Sequence, residues 1–262
     1  MIDRVGRRVM FDQVADEYDA VRPGYPTELF EMLAQAGHLQ NGGETLEIGC
    51  GTGQATELLV QYGLNLTCID PSENMLRIAR KKFAEVKGVH FAQSTFENYT
   101  LRNKSLDLIV AATSWHWVDP TIGYTKAVRE LKSEGRLSII ANLHPTPVAP
   151  FYERIQAVYE ELVPEWGNLQ TNKSTEDVMR QCKEEMEVTG DFTSIEKFEY
   201  RWKEIYSEEQ YLRLIGTYSD HRTLGEERLT GLQEAIGKVI ENEFDGRVER
   251  DYLSIAYVGR KG

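Results

Sequence analysis

The sequence predicts an α/β fold: a Rossmann-like sheet of seven strands, mostly parallel with a final antiparallel strand, plus an N-terminal helical lid and a helical insert. Two observations predict this class. Short apolar runs alternate with amphipathic helical patterns in the first half of the chain, as in parallel sheets covered by helices on both faces. A run with glycine at every second position follows the first apolar segment and opens a helix, where such sheets bind ligands.

The first half of the chain carries five predicted strands, at residues 45–48, 64–69, 89–92, 106–110 and 136–140. Helical patterns separate them. One helix is expected over 54–62, and another begins after Ser72, whose hydroxyl suits an N-cap. Asp119 and Pro120 predict a further helix start, because aspartate caps free N–H groups and proline fits the first helical position.

The second half of the chain has a different pattern. Prolines at 145, 147 and 150 interrupt the alternation, and helical patterns follow at 151–162 and from Ser174. We interpret residues 142–194 as a helical insert over the carboxyl edge of the sheet. Alternating residues at 198–202 and 253–257 predict two closing strands, with a helix over 229–240 between them.

Composition and net charge limit the classes of partner and function that the chain is expected to have. The 262 residues are 41% hydrophobic and 27% charged, as in ordinary globular chains. A net charge of −12 disfavours nucleic acid and anionic lipid as partners. The three cysteines form no Cys-x-x-Cys pair, and neither they nor the five histidines suggest a metal site. No signal-peptide pattern and no bilayer-spanning segment are present, so a cytoplasmic protein is expected.

The glycine loop, residues 47–53, is the most informative stretch. Gly49, Gly51 and Gly53 occupy alternate positions, whereas a dinucleotide-binding loop has the spacing Gly-x-Gly-x-x-Gly and receives a pyrophosphate. Glu47 precedes the glycines, and its negative charge would repel a pyrophosphate. The loop therefore favours a nucleoside with a cationic amino acid end over a nicotinamide dinucleotide.

Asp70 ends the second predicted strand, 17 residues after Gly53. A carboxylate at that position can accept hydrogen bonds from ribose hydroxyls. Both kinds of ligand contain ribose, so Asp70 does not discriminate between them. Alternatively, the glycines form a plain tight turn, and Asp70 with Pro71 merely leads into a helix.

Three segments resemble the class I S-adenosylmethionine-dependent methyltransferases. Residues 46–53 (LEIGCGTG), 69–76 (IDPSENML) and 105–109 (SLDLI) resemble the first, second and fourth motifs, and 91–97 (FAQSTFE) resembles the third. The resemblance implies S-adenosylmethionine as cofactor. It implies cofactor-binding roles for the glycine loop and for residues near the ribose and adenine: Glu47, Gly49, Gly51, Gly53, Asp70, Pro71, Ser72, Thr95 and Phe96. Ala112 joins this set because it leaves the fourth strand toward the cofactor.

Two further segments are similar to those of the trans-aconitate-like small-molecule methyltransferases. The run Arg22-Pro23-Gly24-Tyr25-Pro26 cannot continue a helix, and its simplest interpretation is a turn between helices. The resemblance implies instead that it folds over the cofactor, with Arg22 pairing with the cofactor's carboxylate. Tyr18 would contact the cofactor and Tyr25 would line the substrate pocket.

The aromatic loop, residues 111–117, follows the fourth strand and faces the predicted ligand. Trp115 and Trp117 are candidate walls of the acceptor pocket, and His116 is the candidate general base. His144, near the end of the fifth strand, is a further pocket candidate. Alternatively, the tryptophans pack against a neighbouring helix and His116 bonds only to backbone.

Together these features predict a single methyltransferase domain: lid 1–40, cofactor-binding core 41–141, insert 142–194, and closing strands and helices 195–262. The expected reaction is methyl transfer from S-adenosylmethionine to a small molecule, a carboxylate or a metabolite ring. The acceptor identity and the oligomeric state stay open. The alternatives are a non-catalytic adenosylmethionine-binding module and a nicotinamide-dependent oxidoreductase.

Overall fold

A computed structural model describes residues 12, 14–101, 104–143, 150–167 and 175–262. Its sheet has seven strands in the order β3-β2-β1-β4-β5-β7-β6, which confirms the predicted fold class. The strands are β1 (Glu44–Ile48), β2 (Asn65–Asp70), β3 (Val89–Gln93), β4 (Leu106–Ala112), β5 (Leu131–Leu143), β6 (Phe192–Ser207) and β7 (Arg247–Lys261). Strand β7 runs opposite to the other six strands of this sheet.

Helices cover both faces of the sheet. The α-helices in the described ranges are α1 (Ala15–Val21), α2 (Thr27–Gln35), α3 (Thr56–Leu59), α4 (Glu73–Lys82), α5 (Pro120–Glu130), α6 (Pro150–Leu162), α7 (Thr175–Thr189), α8 (Glu208–Gly216), α9 (Ser219–Arg222) and α10 (Glu226–Glu243). Two predicted N-caps are confirmed: Ser72 accepts a hydrogen bond from Met75 N, and Asp119 accepts one from Thr121 N. None of the helices in these ranges is long and apolar enough to cross a bilayer.

Strand β1 lies at the centre of the parallel part and pairs with both β2 and β4. The chain moves outward from β1 in opposite directions, to β2 and β3 on one side and to β4 and β5 on the other. Ligands of open α/β sheets bind at such a switch point, beyond the carboxyl ends of the strands. Ile48, Asp70 and Ala112 end the three strands that meet there.

The apolar core has two main layers. One face of the sheet packs against α5 and α7, and the other packs against α2 and α3. The placement of α7 differs from the expected insert, because Cys182 and Met186 pack in the layer under the sheet rather than above its carboxyl edge. Their burial against β5 and β7 accounts for this placement.

The roof is a third apolar cluster, formed by α6, α8, α10 and the segments 201–207 and 247–252 of β6 and β7. Pairing between β5 and β7 ends at Leu143 and Leu253, whereas β6 and β7 continue to pair as far as Ser207 and Arg247. The antiparallel pair of β6 and β7 therefore projects past the end of β5. The predicted closing strands were shorter, because one face of this extension is solvent-exposed and carries charged residues that resemble a loop.

Candidate functional site

A cleft opens at the switch point between the sheet and the roof. It contains about 610 Å³ of space, counting its open mouth. Seven predicted site residues line it: Tyr18, Arg22, Tyr25, Glu47, Gly49, Gly51 and Ala112. The remaining lining residues were not predicted: Pro23, Cys50, Gln54, Ala55, Thr113, Asn142, Tyr218 and Tyr252.

The glycine loop faces this cleft, but its glycines serve different purposes. At Gly49, a Cβ atom would lie 2.6 Å from the Ser114 Cβ, and at Gly53 one would lie 2.4 Å from the Phe83 ring. These two glycines allow close packing within the protein. At Gly51 (φ +57°), a Cβ would meet no heavy atom nearer than 3.8 Å. Gly51 therefore leaves open space in the cleft, where a nucleoside ligand can approach the backbone.

Asp70 fixes the shape of the glycine loop. Its Oδ2 accepts a hydrogen bond from Gly51 N at 3.0 Å, and its Oδ1 accepts one from Ser72 N at 2.8 Å. The carboxylate is buried at the end of β2 and does not itself line the cleft. Carboxylate oxygens have further lone pairs, so Asp70 can hold the loop and still accept hydrogen bonds from the hydroxyls of a ribose.

Glu47 brings a buried carboxyl group to the base of the cleft. Its Oε2 accepts hydrogen bonds from Thr56 Oγ1 at 2.6 Å and Cys68 Sγ at 3.3 Å. Burial raises the pKa of Glu47 to about 7, and the nearby Asp70 carboxylate adds to the shift. A cationic ligand group would favour the ionised carboxylate, so the site suits an ammonium.

An N-terminal strap, residues 14–26 preceded by Asp12, crosses the cleft. Arg22 donates hydrogen bonds from Nε to Thr217 Oγ1 at 2.8 Å and from Nη2 to Thr217 O at 3.0 Å. Its guanidinium lies 5.0 Å from the Tyr18 ring centroid and 4.5 Å from that of Tyr218. No ion pair joins Arg22 to a carboxylate within the described ranges, so it can receive an anionic ligand group.

Carboxylates pin the strap to α4. Asp12 accepts hydrogen bonds from Ser72 Oγ at 2.6 Å and from Asn74 N at 3.1 Å. Asp16 pairs with Arg77 at 3.1 Å, and Asp19 pairs with Lys82. These contacts hold the strap against α4, and its role as a lid stays a prediction.

Thr113 lines the cleft beside the strap. It follows β4 with φ +53°, a backbone conformation that a β-branched residue rarely adopts. Its N–H donates to Ile140 O at 2.7 Å, and its hydroxyl is hydrogen-bonded to that of Tyr25 at 2.7 Å. Asn142 ties β5 to the strap by donating from Nδ2 to Gly24 O at 2.8 Å. A strained backbone like that of Thr113 often accompanies a functional position.

The structure places the aromatic loop differently from the prediction. Trp115 is 5% exposed and packs in the core, with its ring centroid 6.1 Å from that of Phe96 and 5.0 Å from that of Tyr124. A 3-10 turn over Trp115–Trp117 leaves His116 exposed, its ring beside that of Trp117. None of these aromatic side chains lines the cleft. The tight turn is responsible, because it directs Trp115 inward and His116 toward solvent.

Six further cofactor-binding candidates, from the glycine loop and from the predicted ribose and adenine sites, also lie outside the cleft lining. They are Gly53, Asp70, Pro71, Ser72, Thr95 and Phe96. Phe96 is buried in the core, and the Thr95 carbonyl accepts hydrogen bonds from Asn98 N and Tyr99 N. His144 lies outside the described residues.

Comparison with known proteins shows that the central part of the chain is similar to methyltransferases. Residues 46–139 match the family described as a methyltransferase domain. An uncharacterized methyltransferase of Mycobacterium tuberculosis is 32% identical over 132 residues, which are 50% of this chain and 51% of the relative. A probable S-adenosylmethionine-dependent methyltransferase of Saccharomyces cerevisiae is 30% identical over 147 residues, 55% of this chain and 50% of the relative. The chain thus spans about half the length of these curated relatives.

The fold agrees with this family. The structure of a candidate type II methyltransferase from Anaeromyxobacter dehalogenans has a TM-score of 0.64 to this chain at 22% identity. The match covers 91% of this chain and 97% of the other. The specific similarity to the trans-aconitate group, predicted from the strap and the aromatic loop, stays a prediction.

Proposed function

We infer that this chain, whose central part is a class I S-adenosylmethionine-dependent methyltransferase domain, methylates a small molecule held between the glycine loop and the roof. The supporting observation is the polarity of the cleft. A buried carboxyl, Glu47, lies at the loop end, and Arg22 lies at the roof end without a carboxylate partner in the described ranges. Opposite charges at two ends of one cleft suit the ammonium and carboxylate of the cofactor's amino acid part.

Each residue then has a defined task. Glu47 accepts hydrogen bonds from the ammonium, and Arg22 donates to the carboxylate. Asp70 holds Gly51 and accepts hydrogen bonds from the ribose hydroxyls. When bound, S-adenosylmethionine supplies a methyl group activated by its positively charged sulfur. The strap and roof exclude water and align the acceptor, which are the contributions a displacement reaction needs most.

The acceptor is proposed to be a small carboxylate or a metabolite ring. A carboxylate acceptor needs no base, which agrees with a described cleft lined by tyrosines and threonine rather than by histidine. The test is transfer of labelled methyl from S-adenosylmethionine to a metabolite library, with adenosylhomocysteine binding measured by calorimetry. Binding without transfer would favour the non-catalytic module, and binding of NADH in place of adenosylhomocysteine would favour the oxidoreductase.

Asp70→Asn is expected to weaken adenosylhomocysteine binding by about 1.5–3 kcal/mol, the range for hydrogen bonds to charged groups. The amide lacks the negative charge with which Asp70 accepts hydrogen bonds from the ribose hydroxyls and from Gly51 N. Calorimetry on the folded variant measures the change. Asp107→Asn is the matched control, because Asp107 accepts a backbone hydrogen bond from Glu44 N at the amino end of β4. Equal affinities for the Asp70 variant and wild type would move the ribose site elsewhere.

His116→Ala is expected to leave adenosylhomocysteine affinity and turnover within about twofold of wild type, as for most surface substitutions. The reason is placement, since His116 is exposed and outside the cleft lining. Single-turnover rates with the acceptor from the library screen measure the effect, and His90→Ala is the exposed-histidine control. A loss of about 10²–10⁴-fold confined to His116→Ala would restore the general-base role predicted from sequence.

A further inference from the structure

A buried guanidinium lies in the roof behind the cleft. Arg250 of β7 is 6% exposed, and its Nη1 donates a hydrogen bond to the Tyr218 hydroxyl. Its Nε has no hydrogen-bond partner, and within the described part of the chain no ion pair joins Arg250 to a carboxylate. A buried, uncompensated cation requires a physical explanation, because most buried charges are paired.

Aromatic rings compensate the Arg250 charge only in part. The guanidinium carbon lies 5.5 Å from the Tyr252 ring centroid, 5.6 Å from that of Tyr218 and 6.0 Å from that of Tyr211. Ring faces attract cations at such distances, but more weakly than a carboxylate does. They also provide no acceptor for the Nε–H, which leaves a buried donor unsatisfied.

Two carboxylates close to Arg250 in the fold have other partners. Asp251, the next residue, lies on the exposed face of the β6–β7 pair, and its Oδ1 lies 3.8 Å from Lys203 Nζ. Asp220 accepts from the ring of His221, with 3.0 Å between Oδ1 and Nδ1. The partner that would neutralise Arg250 is therefore not one of these two acids.

Arg250 is connected to the cleft by tyrosines. Tyr218 and Tyr252 both line the cleft and both contact Arg250. The other end of the cleft holds Glu47, with Asp70 behind it. This separation makes the roof end the favourable place for a negative group and the loop end unfavourable for one.

We propose that Arg250 and Tyr218 bind an oxyanion carried by the methyl acceptor at the roof end of the cleft. The oxyanion accepts a hydrogen bond from the hydroxyl of Tyr218, which lines the cleft and itself accepts a hydrogen bond from Arg250 Nη1. The negative charge of the oxyanion thereby compensates the buried charge of Arg250 behind Tyr218. Arg22 remains with the cofactor. The inference rests on the proposed function and narrows it: the acceptor is an organic acid or a phosphomonoester, not a neutral metabolite.

The test uses the full chain saturated with adenosylhomocysteine and three probes of similar shape: benzoate, phenyl phosphate and the neutral benzamide. Calorimetry is expected to show that wild type binds at least one oxyanion about tenfold or more tightly than benzamide. The tighter of the two oxyanions identifies the acceptor class. Arg250→Met should remove this preference and leave adenosylhomocysteine affinity within about threefold. Arg228→Met is the matched control, since Arg228 is exposed and pairs with Glu165.

Thermal unfolding gives a readout that does not depend on turnover. Without added anion, Arg250→Met is expected to have a higher Tm than wild type, because the variant no longer buries an unpaired charge. The preferred oxyanion should raise the Tm of wild type and of Arg228→Met, but not that of Arg250→Met. If Arg250→Met does not fold, Arg250→Lys takes its place, and it should keep part of the oxyanion preference because it keeps the charge.

Two results would overturn the inference: equal wild-type affinity for the oxyanions and benzamide, including no binding of any probe, or an unchanged preference in the folded Arg250 variant. Failure of the proposed function would give a different result from failure of the Arg250 proposal, because wild type would then not bind adenosylhomocysteine at all. Intact adenosylhomocysteine binding with no oxyanion preference would contradict only the role of Arg250.

Discussion

Gly51→Asp should lower adenosylhomocysteine affinity by at least about two orders of magnitude, or about 2.7 kcal/mol, while the protein stays folded. The added side chain has room within the protein, since the nearest heavy atom to its Cβ is 3.8 Å away. Its backbone angle (φ +57°) is one that aspartate tolerates better than most residues. The new carboxylate would occupy ligand space and lie in the same cleft as Glu47.

The control for this variant is Gly42→Asp. Gly42 has φ +74°, and a Cβ added there would meet no heavy atom within 4 Å, so it matches the backbone change away from the cleft. Circular dichroism should show both variants folded, and calorimetry should show a loss only for Gly51→Asp. Affinity close to wild type in the folded Gly51 variant would remove the glycine loop from the cofactor site.

Glu47→Gln should stabilise the ligand-free protein above pH 7 while weakening adenosylhomocysteine binding. Burial raises the pKa of Glu47 from 4.5 to about 7 in the folded state. The folded state therefore holds this proton more tightly than the unfolded state, so stability is fully present below about pH 4.5 and is lost as pH rises to about 7. The loss is on the order of 3 kcal/mol, and glutamine, which does not ionise, avoids it.

Urea unfolding of the ligand-free protein at pH values from about 5 to about 8 measures how the free energy of unfolding changes with pH. Wild-type stability should fall relative to Glu47→Gln as pH rises to about 7 and then stay level, and the exposed Glu57→Gln control should follow wild type. In wild type, adenosylhomocysteine affinity should drop by up to about tenfold per unit below pH 7, because protonated Glu47 cannot neutralise the ammonium. Parallel stability curves for wild type and Glu47→Gln would contradict the buried, raised-pKa carboxyl.

The predictable parts of the site depend on local sequence. Ser72 and Asp119 cap their helices as expected, and Gly51 and Glu47 face the cleft. Each of these signals needs only a few neighbouring residues, since a cap or a tight loop closes within one turn of chain. The short apolar runs likewise predicted the strands of the parallel part.

The roof was not predictable in the same way. Tyr218 and Arg250 meet across 32 residues, and Arg22 reaches Thr217 across 195. No local motif marks such contacts, because they join segments that only the tertiary fold brings together. The aromatic loop shows the opposite error: Trp115 and His116 were assigned together by proximity in sequence, but one tight turn separates core from solvent.

The position of β7 in the sheet also has a consequence for biosynthesis. β7 is made after every other strand of the sheet, yet it lies between β5 and β6, and among the described strands β6 pairs with β7 alone. Until residues 247–261 leave the ribosome, the edge of β5 is unpaired and the cleft lacks Tyr252. A nascent chain at that stage exposes a strand edge that invites aggregation, so chaperone protection is needed most just before this segment emerges.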